Sequence, residues 1–260
     1  MIYPRVIPVL LIEKNQLIQT RNFKYLKYLG DPLNAMRIFN EKKVDELAFF
    51  DISATKDNLE PNLSLISNMS KESRMPLCYG GGVKNLTQFE KIINLGVEKI
   101  SLSSSAILNE EILTEASKSF GSQSVIVTLD IKKLNNKYFV YIENGSKKVN
   151  ISLNDIIKRI QDNGAGEIIF NLIDKDGTRN GYDLEFIMLI KPLINIPISI
   201  LGGANSYKDF VSALQNFGLI GLCAGSMFSL KGKFNSVLLQ YLDEDEKNDL
   251  RKILFKDYAD

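Results

Sequence analysis

The chain has 260 residues, long enough to bury a substantial core, and carries 32 Lys and Arg against 31 Asp and Glu. Its net charge of +1 gives no electrostatic ground for binding nucleic acid or an anionic membrane. Histidine is absent, which removes the commonest general base, the usual zinc ligand and any Ser-His-Asp arrangement, so proton chemistry must use carboxylates, lysine, tyrosine or thiol; no metal and no cofactor is expected.

The chain opens on MIYPRVIPVLLIEK, which lacks a basic n-region and a small-residue cleavage site. No apolar run approaches the roughly 18 residues that span a bilayer, and a soluble, cytoplasmic protein is expected. β-Branched runs bounded by turn signals predict eight strands, at 5–11, 46–50, 76–79, 99–102, 124–130, 167–172, 198–201 and 221–224. Helical stretches fall between them at 32–42, 86–95, 153–163 and 207–216, with Asn109 and Asp183 near helix starts. Two long connections, 12–31 and 132–150, follow the first and fifth strands; the second carries a hairpin signal turning at 143–146. Cys78 and Cys223 lie in buried strands without metal or redox spacing and are read as packing residues. The charged tail, 243–260, is read as a helix.

The chain repeats itself. A shift of 121 places lays Pro76 on Pro197, Gly81-Gly82 on Gly202-Gly203, Phe89 on Phe210 and Glu46 on Glu167. A shift of 119 lays VIPVLLIEK on VIVTLDIKK. Two related halves, about 1–120 and 121–242, each supply four βα units, which predicts a single α/β domain, a closed (β/α)8 TIM barrel with two-fold half-barrel repeat. An open doubly wound sheet is the other arrangement compatible with the alternation.

Three constellations could carry chemistry. Gly81-Gly82 and Gly202-Gly203 stand at strand ends where backbone N–H groups can approach an anion, each partnered by a small-residue strand end, Ser103-Ser104 or Gly225-Ser226. A single pair could be a tight turn; two at matching repeat positions imply a ligand with a phosphate at each end. Asp130 closes the fifth strand and faces the barrel mouth, where a carboxylate can act as general acid or base or simply cap a helix. Its repeat mate is Leu11, so any acid–base pair across the mouth has lost one member. At the opposite end Arg5, Glu46, Lys99 and Glu167 each start a strand and should converge at the barrel floor, as a structural ion network or as a functional one.

The blocks RVIPVL, GDP at 30–32, VDELAFFDI, GGGV, FGSQSVIVTLDIK, GAGEI, DKDGTRNGYD and LGGA resemble the HisF-like family, the cyclase subunit of imidazole glycerol phosphate synthase, over essentially the whole chain. The resemblance implies a HisH-like glutaminase partner beneath the barrel and ammonia passing up its axis to a bis-phosphorylated substrate. It implies that Arg5, Glu46, Lys99 and Glu167 are an ammonia gate, that Gly81, Gly82, Ser103 and Ser104 hold one phosphate, and that Asp176, Gly177, Gly202, Gly203, Gly225 and Ser226 lie at the other. It makes Asp130 one of two catalytic aspartates, the second replaced by Leu11, while Gln19 stands where the family has a phosphate-binding lysine. The kept gate and altered mouth are similar to the branch linked to glycosyl amidation in surface-polysaccharide synthesis, in which ammonia goes to a separate sugar amidotransferase. An authentic cyclase of histidine biosynthesis and a non-catalytic phosphate-binding scaffold are the alternatives.

Overall fold

The structure, a computed structural model, describes residues 3–253. In chain order it contains β1 (Val6–Glu13), β2 (Gln16–Arg21), β3 (Lys24–Gly30), α1 (Pro32–Glu41), β4 (Leu47–Asp51), α2 (Ile52–Lys56), α3 (Leu63–Glu72), β5 (Leu77–Gly80), α4 (Leu86–Asn94), β6 (Lys99–Leu102), α5 (Ser104–Leu108) and α6 (Glu111–Phe120). It continues through β7 (Val125–Leu134), β8 (Lys137–Ile142), β9 (Lys147–Lys148), α7 (Leu153–Asp162), β10 (Glu167–Leu172), α8 (Leu184–Ile190), β11 (Ile198–Leu201), α9 (Tyr207–Phe217), β12 (Gly221–Ala224), α10 (Ser226–Ser229), β13 (Leu230–Lys231), β14 (Ser236–Val237) and α11 (Glu244–Ile253).

Eight of these strands pair in parallel in the order β1-β4-β5-β6-β7-β10-β11-β12, and β12 pairs back to β1, which closes the (β/α)8 TIM barrel. Closure leaves no barrel edge to aggregate and puts every strand's carboxyl end on one face. Local sequence favours each element. Asp31 caps α1 by accepting from the N–H of Asn34, with Pro32 at the first helical position, and Ala35, Met36 and Phe39 face inward. Ser152 caps α7, whose Leu153, Ile156, Ile157 and Ile160 form its buried stripe.

Two apolar regions result. A large one lies between the sheet and the helices and includes Phe39, Phe89, Phe170, Phe186 and Phe210. A narrow one runs up the barrel axis through Ile7, Val9, Ala48, Cys78, Ile126, Ile169, Leu201 and Cys223, with Leu11 and Phe50 packed on it. Both cysteines are free and buried there, packing as expected.

Both long connections are more ordered than the sequence suggests. The stretch 12–31 is mostly an antiparallel hairpin, β2–β3, continuing β1. In the second, β7 runs past Asp130 to Leu134 and pairs with β8, so Asp130 sits inside a strand and does not close it. Antiparallel pairing supplies partners that a bare loop would lack, which is why both strands continue past the barrel rim. The expected turn at 143–146 is present, and β8 pairs with β9 only through Tyr141 and Ile142. The two hairpin tips meet: a Cβ on Gly145 would lie 2.9 Å from the ring of Phe23. The tail forms α11 to Ile253, and 254–260 lie outside the described residues. Among the described residues no helix is long and apolar enough to cross a membrane.

Candidate active site and barrel floor

Alternation along each strand decides which side chains enter the barrel. On β1 the inward series continues from Arg5 through Ile7 and Val9 to Leu11, and the same period carries β10 from Glu167 through Ile169 to Asn171. Charged residues therefore fall at the strand starts, apolar ones in the middle and the candidate chemistry at the carboxyl ends.

At the floor, Arg5, Glu46, Lys99 and Glu167 form a closed ring. Arg5 donates to Glu46 at 2.7 Å and to Glu167 at 2.8 Å; Lys99 approaches the same two carboxylates at 2.7 and 3.4 Å. Both glutamates are buried. Burial alone would raise the pKa of Glu167, but Arg5 and Lys99 outweigh it and hold the carboxyl below its ordinary value. Burial likewise opposes the charge on Arg5, and its two carboxylate partners more than offset that cost. Ser199 completes the ring by donating to Glu167 Oε1 at 2.5 Å. Sequence reasoning missed Ser199; the signal was a lone hydroxyl in the apolar strand ISIL.

Above the ring, one polar step interrupts the apolar axis, a 2.6 Å hydrogen bond between the Ser101 and Thr128 hydroxyls. At the mouth Asp130 is buried and accepts from Asn171 Nδ2 at 2.9 Å. Burial pushes its pKa up from 3.8 to about 7, with the Asn171 hydrogen bond pulling the other way and Asp176 adding to the rise. A carboxyl poised near neutrality can both take and return a proton. Asn171 was also not singled out from sequence. Across the mouth Leu11 and Phe50 are register partners on β1 and β4, so that wall is apolar. Asp51 accepts from Ser53 N, Ser53 Oγ and Ala54 N, all through Oδ1, and so caps α2.

The glycine pairs sit at the ends of β5 and β11. Gly203 has φ +100°, and a Cβ there would lie 2.2 Å from the carbonyl oxygen of Gly181. Gly81 has φ +126°, with a Cβ 2.3 Å from the carbonyl oxygen of Asp51. Neither position admits a side chain. The helices that follow the pairs do not turn open N-termini toward them. Asn85 caps α4 through Gln88 N, and the Asp209 carboxylate accepts from the N–H groups of Asn205 and Ser206 before α9. Uncapped helix starts lie instead at α5 and α10, which begin directly after Ser103 and Gly225 and have no side-chain cap. Ser104 Oγ accepts from Glu143 N, and Ser226 is buried.

Asp176 and Gly177 are bound to the β2–β3 hairpin. Asp176 Oδ2 accepts from Thr20 Oγ1 at 2.7 Å and from Phe23 N at 3.0 Å, and burial raises its pKa. A Cβ on Gly177 would lie 2.2 Å from the carbonyl oxygen of Thr20. Gln19 is buried, donating to the carbonyl of Thr20 and accepting from Ser229 Oγ at 3.0 Å, close to Gly225. Thus Gln19, Gly225 and Ser226 meet at one corner of the mouth, and the floor residues assemble as one unit at the other end.

Comparison with known proteins gives a consistent answer. A model of the family described as "Histidine biosynthesis protein" matches residues 5–235. A protein of Leptospira borgpetersenii, provisionally named imidazole glycerol phosphate synthase subunit HisF, is 49% identical over 252 residues, covering 96% of this chain and 99% of the relative. A Vibrio vulnificus protein provisionally named subunit hisF3 is 45% identical, covering 95% and 96%. The imidazole glycerol phosphate synthase subunit HisF of Alkaliphilus metalliredigens is 35% identical, covering 88% and 91%. With a barrel closed on an axial charge ring and near full-length identity of this order, the chain belongs to the histidine biosynthesis protein family and is a HisF-like synthase subunit.

Proposed function

We propose that this chain is the barrel subunit of a glutamine-dependent synthase of the imidazole glycerol phosphate synthase type, working in the cytoplasm. A HisH-like glutaminase docks against the floor, ammonia crosses the ring of Arg5, Glu46, Lys99 and Glu167, and a ligand phosphorylated at both ends lies across the mouth. The observation that carries this reading is the closed ring beneath an apolar axis that ends at Asp130. A small neutral molecule crosses such an axis without the desolvation cost that an ion meets. At the mouth, Gly81, Gly82, Ser103 and Ser104 hold one phosphate. Gly202, Gly203, Gly225 and Ser226 hold the other, with Asp176 and Gly177 fixing the hairpin beside it. Asp130, near neutrality, moves protons between the ligand and its surroundings.

The names of the relatives favour ring closure and lyase chemistry on the bis-phosphorylated ribulosyl substrate. Complementation of a histidine auxotroph by this chain and its glutaminase tests that reading, and absence of both growth and turnover by the purified pair would end it.

A second reading is supported by Leu11 and Gln19. With an aliphatic side chain facing Asp130 and no lysine at position 19, ring closure lacks a proton partner and a charge, while the floor is complete. Ammonia emerging at the mouth would then pass to a separate sugar amidotransferase of surface-polysaccharide synthesis. Label from amide-¹⁵N glutamine appearing in an amidated sugar supports it. A glutaminase stimulated by this chain with no labelled product of either kind would instead favour a scaffold.

A further inference from the structure

Of the hairpins outside the eight-stranded barrel on its carboxyl-end face, two follow neighbouring strands, β2–β3 after β1 and β13–β14 after β12. β1 and β12 are neighbours in the barrel, so the hairpins share one side of the mouth. They are joined there by Lys27 Nζ donating to the carbonyl of Asn235 at 2.8 Å, and Ser229 at the end of α10, just before β13, donates through Oγ to Gln19 of β2.

This joined surface differs in composition from the rest of the chain. Between Glu13 and Asp31 there is no acidic residue but four basic ones, and between Asp209 and Asp243 there is again none, with Lys231 and Lys233 at the hairpin. In a chain of net charge +1 this is a marked local excess. Arg21, Lys24, Lys231 and Lys233 are exposed, and among the described residues none of them enters an ion pair. Among these charges stand large exposed apolar side chains: Tyr25 at 60%, Tyr28, Phe234 at 84%, Val237 and Leu238. Scattered apolar residues are ordinary on a surface, but several aromatic and aliphatic groups on two bonded hairpins, ringed by unpaired cations, are not. Exposed tyrosine and phenylalanine are typical anchors of protein interfaces, and unpaired rim charges set which partner arrives.

We infer that the two hairpins are the docking surface for an acidic protein that consumes the ammonia emerging at the mouth. This rests on the second reading above and names the face that its amidotransferase would use. Charge complementarity sets the partner's chemistry: carboxylates opposite Arg21, Lys24, Lys231 and Lys233 around an apolar seat for Phe234. Position sets its role, since a protein seated there borders the exit of the axis. An anionic lipid surface would satisfy the same charges but would not consume the ammonia that emerges beside it.

The test uses the full chain with its glutaminase and the sugar amidotransferase, comparing wild type with the triple variant Lys24→Glu, Lys231→Glu, Lys233→Glu and with Phe234→Ser. The nitrogen source is either amide-¹⁵N glutamine or ammonium chloride. Both variants are expected to lower glutamine-dependent labelling of the sugar at least tenfold, with ammonium-dependent amidation and glutaminase stimulation unchanged. Wild-type transfer should also weaken as salt rises, since screening shortens to about 3 Å at 1 M. Variants that transfer label as well as wild type would overturn the docking assignment while leaving the second reading standing. A wild-type trio that labels no sugar yet closes the imidazole ring would remove the reading itself. Co-sedimentation with vesicles of 30% phosphatidylglycerol and 70% phosphatidylcholine that the triple variant abolishes, with transfer unaffected, would assign the surface to lipid and overturn the proposal.

Discussion

Replacing Asp130 by Asn should stabilise the protein, and more so as the pH rises. The carboxyl is buried, its pKa lifted from 3.8 to about 7, so the folded state holds a proton that the unfolded chain releases at lower pH. A group whose folded pKa is raised favours the folded state fully only below its unfolded pKa, and that advantage is lost as pH climbs through the folded value. Between 3.8 and 7 is about three units, so the full penalty above pH 7 is on the order of 4 kcal/mol. Of this, linkage puts about 2–3 kcal/mol between pH 5 and pH 8. Asparagine has nearly the same shape, keeps an oxygen for the Asn171 amide to donate to, and does not titrate. Urea unfolding of both proteins at pH 5 and pH 8 measures the effect through the difference of differences, which cancels the remaining titrations. Asp130→Asn should gain about 2–3 kcal/mol on wild type between the two pH values while losing turnover. Equal pH slopes would refute the claim that this carboxyl is held protonated near neutrality.

Other perturbations follow from the same geometry. Arg5→Ala leaves Glu46 and Glu167 to share Lys99 alone; because the Arg5 side chain is 31% exposed the cost should be about 2–3 kcal/mol, below the range for a fully buried pair, and a loss under 1 kcal/mol by urea unfolding would contradict it. Leu11→Asp should raise turnover of the bis-phosphorylated ribulosyl substrate about a hundredfold, the lower end of what a proton partner contributes, and an unchanged rate would show that the missing carboxylate is not what limits ring closure. Gly203→Ala drives a Cβ against the Gly181 carbonyl at positive φ and should cost at least about 2 kcal/mol by thermal unfolding. Thr20→Val removes the bond to Asp176 and should speed amide hydrogen exchange across 16–30 while leaving β10 and β11 protected.

The sequence was most readable where a period was long and local. The eight barrel strands and their order follow from apolar runs and from the repeat, because a buried parallel strand has no choice but to be apolar. Four charges at strand starts could be placed on one face because strand register fixes where side chains point, and the mutual pairing of Arg5, Glu46, Lys99 and Glu167 follows from barrel closure. The hairpin β2–β3 was not legible: KYLKYLG is exposed on both faces, so it lacks the alternation that marks a half-buried strand. The ends of β7 were missed for a related reason, since its continuation past Asp130 is held by β8 and not by the barrel. Ser199 and Asn171 escaped notice because a single polar residue in an apolar strand acquires a partner only when another strand is brought beside it. The helix caps escaped attention too. Asn85 and Asp209 close the helices that follow the glycine pairs, whereas α5 and α10 start without a side-chain cap.

The four floor contacts form a cycle, with Arg5 and Lys99 at opposite corners and a glutamate between them on each side. Cutting one edge of a cycle strands no corner, so any single contact can part while every charge keeps a counterion. The slackest edge is Lys99 to Glu167 at 3.4 Å, against 2.7 to 2.8 Å for the other three. The longest contact of the cycle therefore lies between side chains of β6 and β10, while the guanidinium holds a carboxylate at 2.7 Å on one side and at 2.8 Å on the other.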